Sequence, residues 1–304
     1  MADYGFRLAT LACGLLVLVI LALIAVSSTA KAMPAFRHQG LSFLYSRNWN
    51  PTAGHFGALA FIYGTLVTSL IAVVVGVPVS LGIALTLTEL APRAVRTPLV
   101  YLIDLLAAVP SVVYGLWGVL VLAPKLDHLY RHVASGLHGV PVLDALFSGT
   151  TNGKSMFTAG LILALMIIPI VTSLAREVFA TVPRAQKEAA FALGATRWEM
   201  IRGSVLPYGR GGLVGAVMLG LGRAMGETIA VALLIGSSPQ ITSHLFKSGD
   251  AMASVIANQF NEATGTYRAA LIGLGVVLFA LTIVVNLAAR TVLNRSERRL
   301  GSAL

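Results

Sequence analysis

The sequence predicts an all-α, polytopic membrane protein with six transmembrane helices. Three observations support this prediction: 57% of the 304 residues are hydrophobic, only 11% are charged, and the mean hydropathy is +0.83. Ordinary soluble proteins carry about 25% charged residues, so this chain has too few to cover a surface in water. A disordered chain and a disulfide-stapled scaffold are also excluded. We interpret the single cysteine, Cys13, which lies in an apolar run, as a packing residue.

Six apolar segments are long enough to cross a bilayer. A helix needs roughly 20 residues, at about 1.5 Å each, to cross about 30 Å of hydrocarbon. In chain order the predicted spans are about 8–30, 58–87, 98–123, 156–175, 211–236 and 268–289. No loop between them is long enough for a soluble domain. Residues 1–304 are therefore predicted to form a single transmembrane domain.

The first two spans need separate justification. The segment 30–32 has the small-x-small form of a signal-peptide cleavage site, but the preceding apolar run exceeds the usual 7–15 residues of a signal peptide. A retained helix is predicted instead. The second segment contains no charged residue and no polar hairpin, so we predict one long helix that bends near Pro78.

Prolines and one acid mark the next two spans. Pro110 and Pro169 predict kinks in the third and fourth helices, which membrane proteins tolerate when neighbouring groups satisfy the freed carbonyls. Asp104 lies near the start of the third span, about 9 Å deep. We expect it to pair with a nearby arginine rather than to act on a substrate.

The net charge of +10 is distributed as the positive-inside rule requires. If both termini are cytoplasmic, thirteen Lys and Arg residues lie inside and seven lie outside. Basic residues are not interleaved with aromatic ones, so nucleic acid is not a predicted partner. The sequence predicts a multi-pass protein of the cytoplasmic (inner) membrane, surrounded by lipid, with both termini inside.

The predicted cytoplasmic loop 176–210 is charged and amphipathic. Pro183 suits the start of a helix, Gly194 can end it, and Thr196 can cap a second helix that runs to Pro207. The alternative is a solvated linker that is amphipathic by chance. The small residues around Gly194 would let another surface approach closely.

The order of residues in this loop resembles the EAA loop of ABC importer permeases. Glu188, Ala189 and Ala190 are followed after three residues by Gly194, and the stretch ends at Leu206 and Pro207, although Ser204 replaces an isoleucine of the general pattern. The resemblance implies a type I importer permease architecture. It also implies that the coupling contacts with an ATPase subunit come from six residues: Glu188, Ala189, Ala190, Gly194, Leu206 and Pro207.

Three further segments are similar to permease subunits of phosphate importers of the PstC type. These segments are 50–72, 106–118 and 207–232. The resemblance implies a permease subunit that translocates inorganic phosphate by alternating access. A permease for another oxyanion, such as sulfate or molybdate, is the alternative, because the EAA-like loop does not specify the substrate.

The same resemblance implies a set of partners. These are a second homologous permease subunit (PstA-type), a dimer of ATPase subunits (PstB-type) and an extracytoplasmic phosphate-binding lipoprotein (PstS-type). The chain itself is predicted to be a transport permease, not an enzyme, and to hold no cofactor, since ATP and Mg would bind to the ATPase. The segment 148–155 is one substitution from a phosphate-binding P-loop, but it lies in a predicted outer loop with no preceding strand. An intramembrane enzyme is disfavoured because no nucleophile and base lie at matching depth.

Two charged residues occur in the fifth span. Arg223 lies about halfway along it, and Glu227 follows four residues later. A central arginine costs about 2.5–3.5 kcal/mol on insertion scales, so such residues normally face a bundle interior or a wet cavity. We predict that both line the substrate pathway and that they pair along the helix. The alternative is a structural ion pair that never touches substrate.

Glycines on the same segment form a separate stripe. Gly211, Gly215, Gly222 and Gly226 fall on one face of an ideal helix, away from the two charges. Small residues at this spacing let helices approach closely in membranes. We predict that this face packs on a neighbouring helix.

Histidines in the predicted outer loop do not form a convincing metal site. His128 and His132 are spaced four residues apart beside Asp127, and His138 is nearby. The spacing is weak evidence without cysteines or an HExxH motif. No metal is predicted; an exposed helical turn that touches the binding protein is the preferred interpretation.

Overall fold

The computed structural model describes residues 2–136, 146–147 and 152–301, and these are overwhelmingly helical. In chain order its elements are α1 (Ala2–Gln39), α2 (Ser42–Tyr45), β1 (Trp49–Asn50), β2 (His55–Phe56), α3 (Leu59–Leu85), α4 (Arg93–Ala108), α5 (Ser111–Trp117), α6 (Ala123–Gly136), α7 (Met156–Ala180), α8 (Arg184–Ala192), α9 (Arg197–Met200), α10 (Leu206–Gly226), α11 (Ile229–Leu234), α12 (Met252–Gln259) and α13 (Gly265–Gly301). Three π-helical stretches, Thr86–Leu90, Gly118–Leu122 and Ile201–Val205, continue or join these helices. The strands β1 and β2 form a short antiparallel hairpin.

Six helices in the described part of the chain are long and apolar enough to cross a membrane, so the predicted number is confirmed. They are Tyr4–Gln39, Leu59–Leu90, Ser111–Gly136, Met156–Ala180, Arg197–Gly226 and Gly265–Thr291. The second is one helix, as predicted, and it continues through Pro78. The fourth likewise continues through Pro169.

The third span begins later than predicted. Pro110 breaks the helix instead of kinking it, because both Val109 and Pro110 adopt extended backbone angles. The residue before a proline is sterically pushed away from helical angles. The segment Arg93–Ala108 is therefore a separate helix, α4, about 24 Å long at 1.5 Å per residue. Asp104 on α4 is exposed, and no described basic group lies within 4 Å of it, so the predicted pairing with an arginine is not found among the described residues.

The fifth helix is displaced along the chain relative to the prediction. It begins at Arg197, passes through Pro207 and ends at Gly226 instead of continuing to residue 236. Inside an α-helix a proline clashes with the carbonyl four residues before it. Here the π-helical stretch precedes Pro207, and Leu206 N–H bonds to the carbonyl of Ile201, five residues back. This wider turn accommodates the proline, so Pro207 does not end the helix.

The centre of the bundle is the packing of α3 against α7. Glycines permit the close approach: a Cβ on Gly160 would lie 2.6 Å from Ile71 Cβ, and one on Gly76 would lie 2.9 Å from Ile167 Cγ1. Buried hydroxyls in this contact are satisfied, since Ser80 Oγ donates to the carbonyl of Gly76 at 2.6 Å. The α3–α7 pair therefore forms the frame on which the other helices pack.

Several aromatic side chains pack together where α1 ends and α13 begins. Trp49 packs edge-on against Phe56 and Phe61, and Trp49 Nε1 donates to Gln259 Oε1 at 3.3 Å. The N-terminal half of α1 touches little of this chain. Cys13 is exposed there, so the predicted packing role of Cys13 was wrong within this chain.

We expect Gly64→Ala to destabilise the fold, because α3 meets the loop before α12 at this residue. A Cβ on Gly64 would lie 2.0 Å from the backbone oxygen of Asp250, which cannot move independently. Such overpacking costs roughly 1–3 kcal/mol or more. The matched control is Gly82→Ala on the same helix, where a Cβ meets nothing within 4 Å. Thermal unfolding in detergent should show a lower midpoint for Gly64→Ala alone; equal midpoints would contradict this packing.

Candidate functional site

The loop after α7 folds into two short helices as predicted. Pro183 precedes α8, and Gly194, with φ of +83°, follows its last turn. Glycine adopts this left-handed conformation without steric cost. Thr196 caps α9 in a reciprocal arrangement, in which Thr196 N–H donates to Glu199 Oε2 at 2.7 Å and Glu199 N–H donates to Thr196 Oγ1 at 3.3 Å.

An ion pair attaches α8 to the end of the second membrane helix. Lys187 Nζ lies 2.5 Å from Glu89 Oε1, and the two side chains are 19% and 9% exposed. Below this pair, Met200 and Val205 are buried with Phe179 in a common apolar cluster. The loop is therefore held in a fixed orientation rather than extending freely from the membrane helices.

A cleft of about 490 Å³ lies between α8 and the beginning of α10, and we call it the docking cleft. Its lining includes Ala189, Ala190, Leu193, Gly203, Pro207 and Tyr208. Glu188 and Gly194 are exposed beside it, and Leu206 is half-buried. Of the six predicted coupling residues, three line this cleft, namely Ala189, Ala190 and Pro207, and the contact with an ATPase stays a prediction.

Exposed apolar side chains near the docking cleft were missed by the sequence analysis. Leu193 is 90% exposed and Trp198 is 62% exposed, although both lie on a charged end of the protein. Large apolar groups left in contact with solvent mark surfaces that bind another protein. The only sequence evidence for them was their occurrence in a loop otherwise rich in charged residues.

Arg223 and Glu227 do not form the predicted ion pair. Arg223 lies in the last turn of α10 and is exposed on the surface of this chain. Glu227 follows the end of that helix with extended backbone angles, and its Oε1 accepts the Ala230 N–H at 3.4 Å. No ion pair of the described residues joins the two. The reason is that the helix ends at Gly226, so Glu227 does not lie one turn above Arg223 and instead caps α11.

Tyr114 lies within electrostatic range of Arg223. Close packing of α5 on α11 brings it there: a Cβ on Gly115 would lie 3.0 Å from Ala230 Cα, and one on Gly118 would lie 2.7 Å from Leu234 Cδ1. The Tyr114 hydroxyl donates to the carbonyl of Leu106 at 2.9 Å. The sequence analysis missed Tyr114, although the glycines beside it indicated a close helix contact.

Among the described residues, three glycines of the predicted stripe contact no other helix. A Cβ on Gly215, Gly222 or Gly226 would meet nothing within 4 Å, and Gly211 is exposed. The glycines in contact are on another face, where a Cβ on Gly212 would lie 2.5 Å from Val178 and one on Gly220 2.7 Å from Val171. Packing of the stripe on a neighbouring helix stays a prediction.

The histidines predicted as an exposed helical turn do lie on a helix, α6. His128 and His132 are exposed, and the neighbouring Asp127 is paired with Arg131. Among the described residues no three metal-ligating side chains come together. His138 and the first four residues of the P-loop-like segment 148–155 lie outside the described residues.

Asp250 is a buried acid that the sequence analysis did not identify. It is 3% exposed, and its Oδ1 accepts bonds from Ala251 N–H at 2.8 Å and Ser254 Oγ at 2.9 Å. Burial raises the pKa of Asp250 to about 6, and these two hydrogen bonds only partly oppose that rise. The backbone next to Asp250 joins the beginning of α12 to α3, because Met252 N–H donates to Thr65 Oγ1 at 3.1 Å.

Stability should therefore fall as pH rises across the range from about 4 to above 6. In this window the folded protein still binds a proton that the unfolded chain has released, because the pKa of Asp250 is 3.8 ordinarily and about 6 when folded. We expect Asp250→Asn, which stays neutral, to be more stable than the parent at pH 8 by roughly 2–3 kcal/mol and equal near pH 4. Thermal unfolding in detergent measures this difference. The exposed Asp104→Asn is the control, and a loss of stability in Asp250→Asn at pH 8 would contradict the assignment.

Comparison with known proteins identifies similar chains over nearly the whole length. Residues 76–301 match the family model "Binding-protein-dependent transport system inner membrane component". The phosphate transport system permease protein PstC of Xylella fastidiosa (strain Temecula1) is 47% identical over 99% of this chain and 93% of that protein. The PstC proteins of Mesorhizobium japonicum and Haemophilus influenzae are 44% and 43% identical, covering 99% and 97% of this chain and 93% and 94% of those proteins.

Solved structures share the fold at low identity. A permease chain of a bacterial ABC transporter that imports alginate superposes with a TM-score of 0.61 at 17% identity, covering 95% of this chain and 96% of that one. The same transporter with an alginate-bound periplasmic protein gives 0.61 at 18% identity, with 97% and 96% covered. The architecture is therefore that of type I ABC importer permeases, as predicted.

Proposed function

Because the chain belongs to the binding-protein-dependent transport system inner membrane component family, we propose that it is the permease subunit of an ATP-driven importer of inorganic phosphate. The chain is a multi-pass membrane protein and a transport permease rather than an enzyme. The observation that supports phosphate as the substrate is the 43–47% identity, over nearly the full chain, to permeases named for phosphate transport.

The unpaired Arg223 supports this substrate. Its guanidinium has no carboxylate within 4 Å among the described residues, and Glu227 is engaged with the N-terminus of α11. A guanidinium offers two parallel donors that match the oxygens of a phosphate. Arg223 lies exposed in the last turn of the fifth membrane helix, so its guanidinium is available to a transported anion. We therefore place Arg223 in the substrate pathway, with Tyr114 beside it.

The role of Glu227 changes from the one predicted. Its carboxylate caps α11 and so fixes the backbone where the fifth helix ends. We propose that Glu227 positions Arg223 by holding this break rather than by direct pairing. A carboxylate near the pathway also limits how tightly an anion is held, which favours its release.

The shape and lining of the docking cleft support the binding of a separate ATPase subunit. Its small residues admit an approaching surface, and Leu193 and Trp198 offer apolar contact area. We propose that a dimer of PstB-type ATPase subunits binds there and supplies ATP and Mg. A PstA-type permease would complete the pathway, and a PstS-type lipoprotein would deliver phosphate at the opposite end. In this arrangement both termini are in the cytoplasm and the protein lies in the inner membrane.

Uptake of radiolabelled phosphate at low external concentration tests the proposed substrate. The assay uses cells that lack their own permease of this type and that contain the partner subunits. We expect uptake that excess unlabelled phosphate abolishes and that sulfate and molybdate leave unchanged. Absence of phosphate uptake by the assembled complex, together with uptake of radiolabelled sulfate or molybdate, would replace the proposed substrate with another oxyanion.

A further inference from the structure

Two arginines from different helices line one small cleft that has no role in the proposed transport path. Arg96 lies in the first turn of α4, and Arg176 lies near the end of α7. They share a cleft of about 310 Å³ with Thr97, Val100 and Tyr101. Both arginines are half-buried. The cleft is on the same end of the protein as α8, which follows α7 directly.

Within the part of the chain that the structure describes, no acid pairs with the two arginines. Among the described residues, no carboxylate lies within 4 Å of either guanidinium. Glu89 is already paired with Lys187, and both Asp104 and Glu177 are exposed. Two positive charges in one cleft repel each other. The first turn of a helix adds positive potential at Arg96. An anion between the two side chains would relieve this repulsion.

We propose that this cleft binds a phosphate group. The forked donors of two guanidiniums match the oxygens of a phosphate, and the hydroxyls of Thr97 and Tyr101 add neutral donors. The volume exceeds that of one phosphate group and leaves room for the atoms attached to it. Basic pockets between membrane helices recognise anionic lipid headgroups in this way. The phosphate can belong to a lipid headgroup or be free inorganic phosphate. Under the proposed function, free phosphate in this cleft would be an ion that has already left the transport pathway.

Binding to the full chain in lipid nanodiscs distinguishes the two sources. Native mass spectrometry measures retained phosphatidylglycerol, and equilibrium dialysis measures radiolabelled inorganic phosphate. We expect R96Q/R176Q to weaken one of the two ligands at least tenfold. Arg184→Gln, an exposed arginine on α8, is the matched control and should change neither. Val100→Trp fills the cleft while keeping both charges, so it should produce the same loss without altering the cations.

Each result decides for or against the cleft. Selective loss of phosphatidylglycerol assigns a lipid headgroup, and selective loss of inorganic phosphate assigns the free ion. Inorganic phosphate binding that survives R96Q/R176Q but is lost in Arg223→Gln belongs to the transport pathway, and it would support the proposed function while overturning a free-phosphate cleft. Unchanged binding of both ligands in R96Q/R176Q, with thermal unfolding equal to the parent, overturns the proposal entirely.

Discussion

Replacing Arg223 with alanine is expected to reduce phosphate uptake about 100-fold without loss of the assembled protein. Each hydrogen bond to a charged group contributes roughly 1.5–3 kcal/mol, so loss of a bidentate contact removes about 3 kcal/mol of binding free energy. This corresponds to about two factors of ten. Because Arg223 is exposed and makes no ion pair with any described residue, its removal should leave the fold intact. Radiolabelled phosphate uptake at equal membrane abundance is the measurement.

Two further substitutions refine this result. Arg223→Lys keeps the positive charge but loses the two parallel donors of the guanidinium, so we expect an intermediate loss of phosphate uptake of about tenfold. Arg268→Ala is the matched control, since Arg268 lies near the beginning of the sixth membrane helix, over the Phe260 ring and 5.6 Å from its centroid. Normal uptake by Arg223→Ala in an assembled complex would exclude this guanidinium from the pathway.

Replacing Ala189 with arginine is expected to abolish uptake by blocking the docking cleft. Ala189 is exposed and lines the cleft, so a long side chain would fill it from the solvent side without entering the core. Surface substitutions of this kind usually change stability by no more than about 0.5 kcal/mol. The chain should therefore fold normally but fail to retain its ATPase.

Uptake and co-purification of the ATPase must be measured together. We expect Ala189→Arg to lose both, whereas Ala94→Arg, at an exposed alanine on α4 outside the cleft, should lose neither. Retention of the ATPase with normal uptake would place the coupling contact elsewhere. Retention without uptake would show that the cleft transmits motion but does not supply the binding energy.

Some features followed directly from the sequence because they depend on local chemistry. The six helices follow from apolar length, and the turn at Gly194 and the cap at Thr196 follow from residue preferences that act within a few positions. Three predicted coupling residues, Ala189, Ala190 and Pro207, line one cleft because they are close in sequence. Their arrangement around a cleft required only that two adjacent helices fold back on one another.

Other features depend on contacts that no local pattern records. The end of the fifth helix at Gly226 is not marked by a proline, and Glu227 was therefore assigned to the wrong turn. Helical periodicity correctly grouped Gly215, Gly222 and Gly226 on one face, but it cannot tell which face meets α7. That choice depends on Val171 and Val178, which lie far away in sequence.

The ion pair between Lys187 and Glu89 determines how a movement of α8 is transmitted to the membrane helices. Glu89 belongs to the π-helical stretch at the end of the second membrane helix, and this stretch has a wider turn than the rest of that helix. A force applied to α8 therefore passes to three membrane helices, through the backbone to the fourth and the fifth and through one pair of charges to the second. The ion pair can break and re-form without unfolding any helix. The contact between the loop and the second membrane helix is therefore reversible.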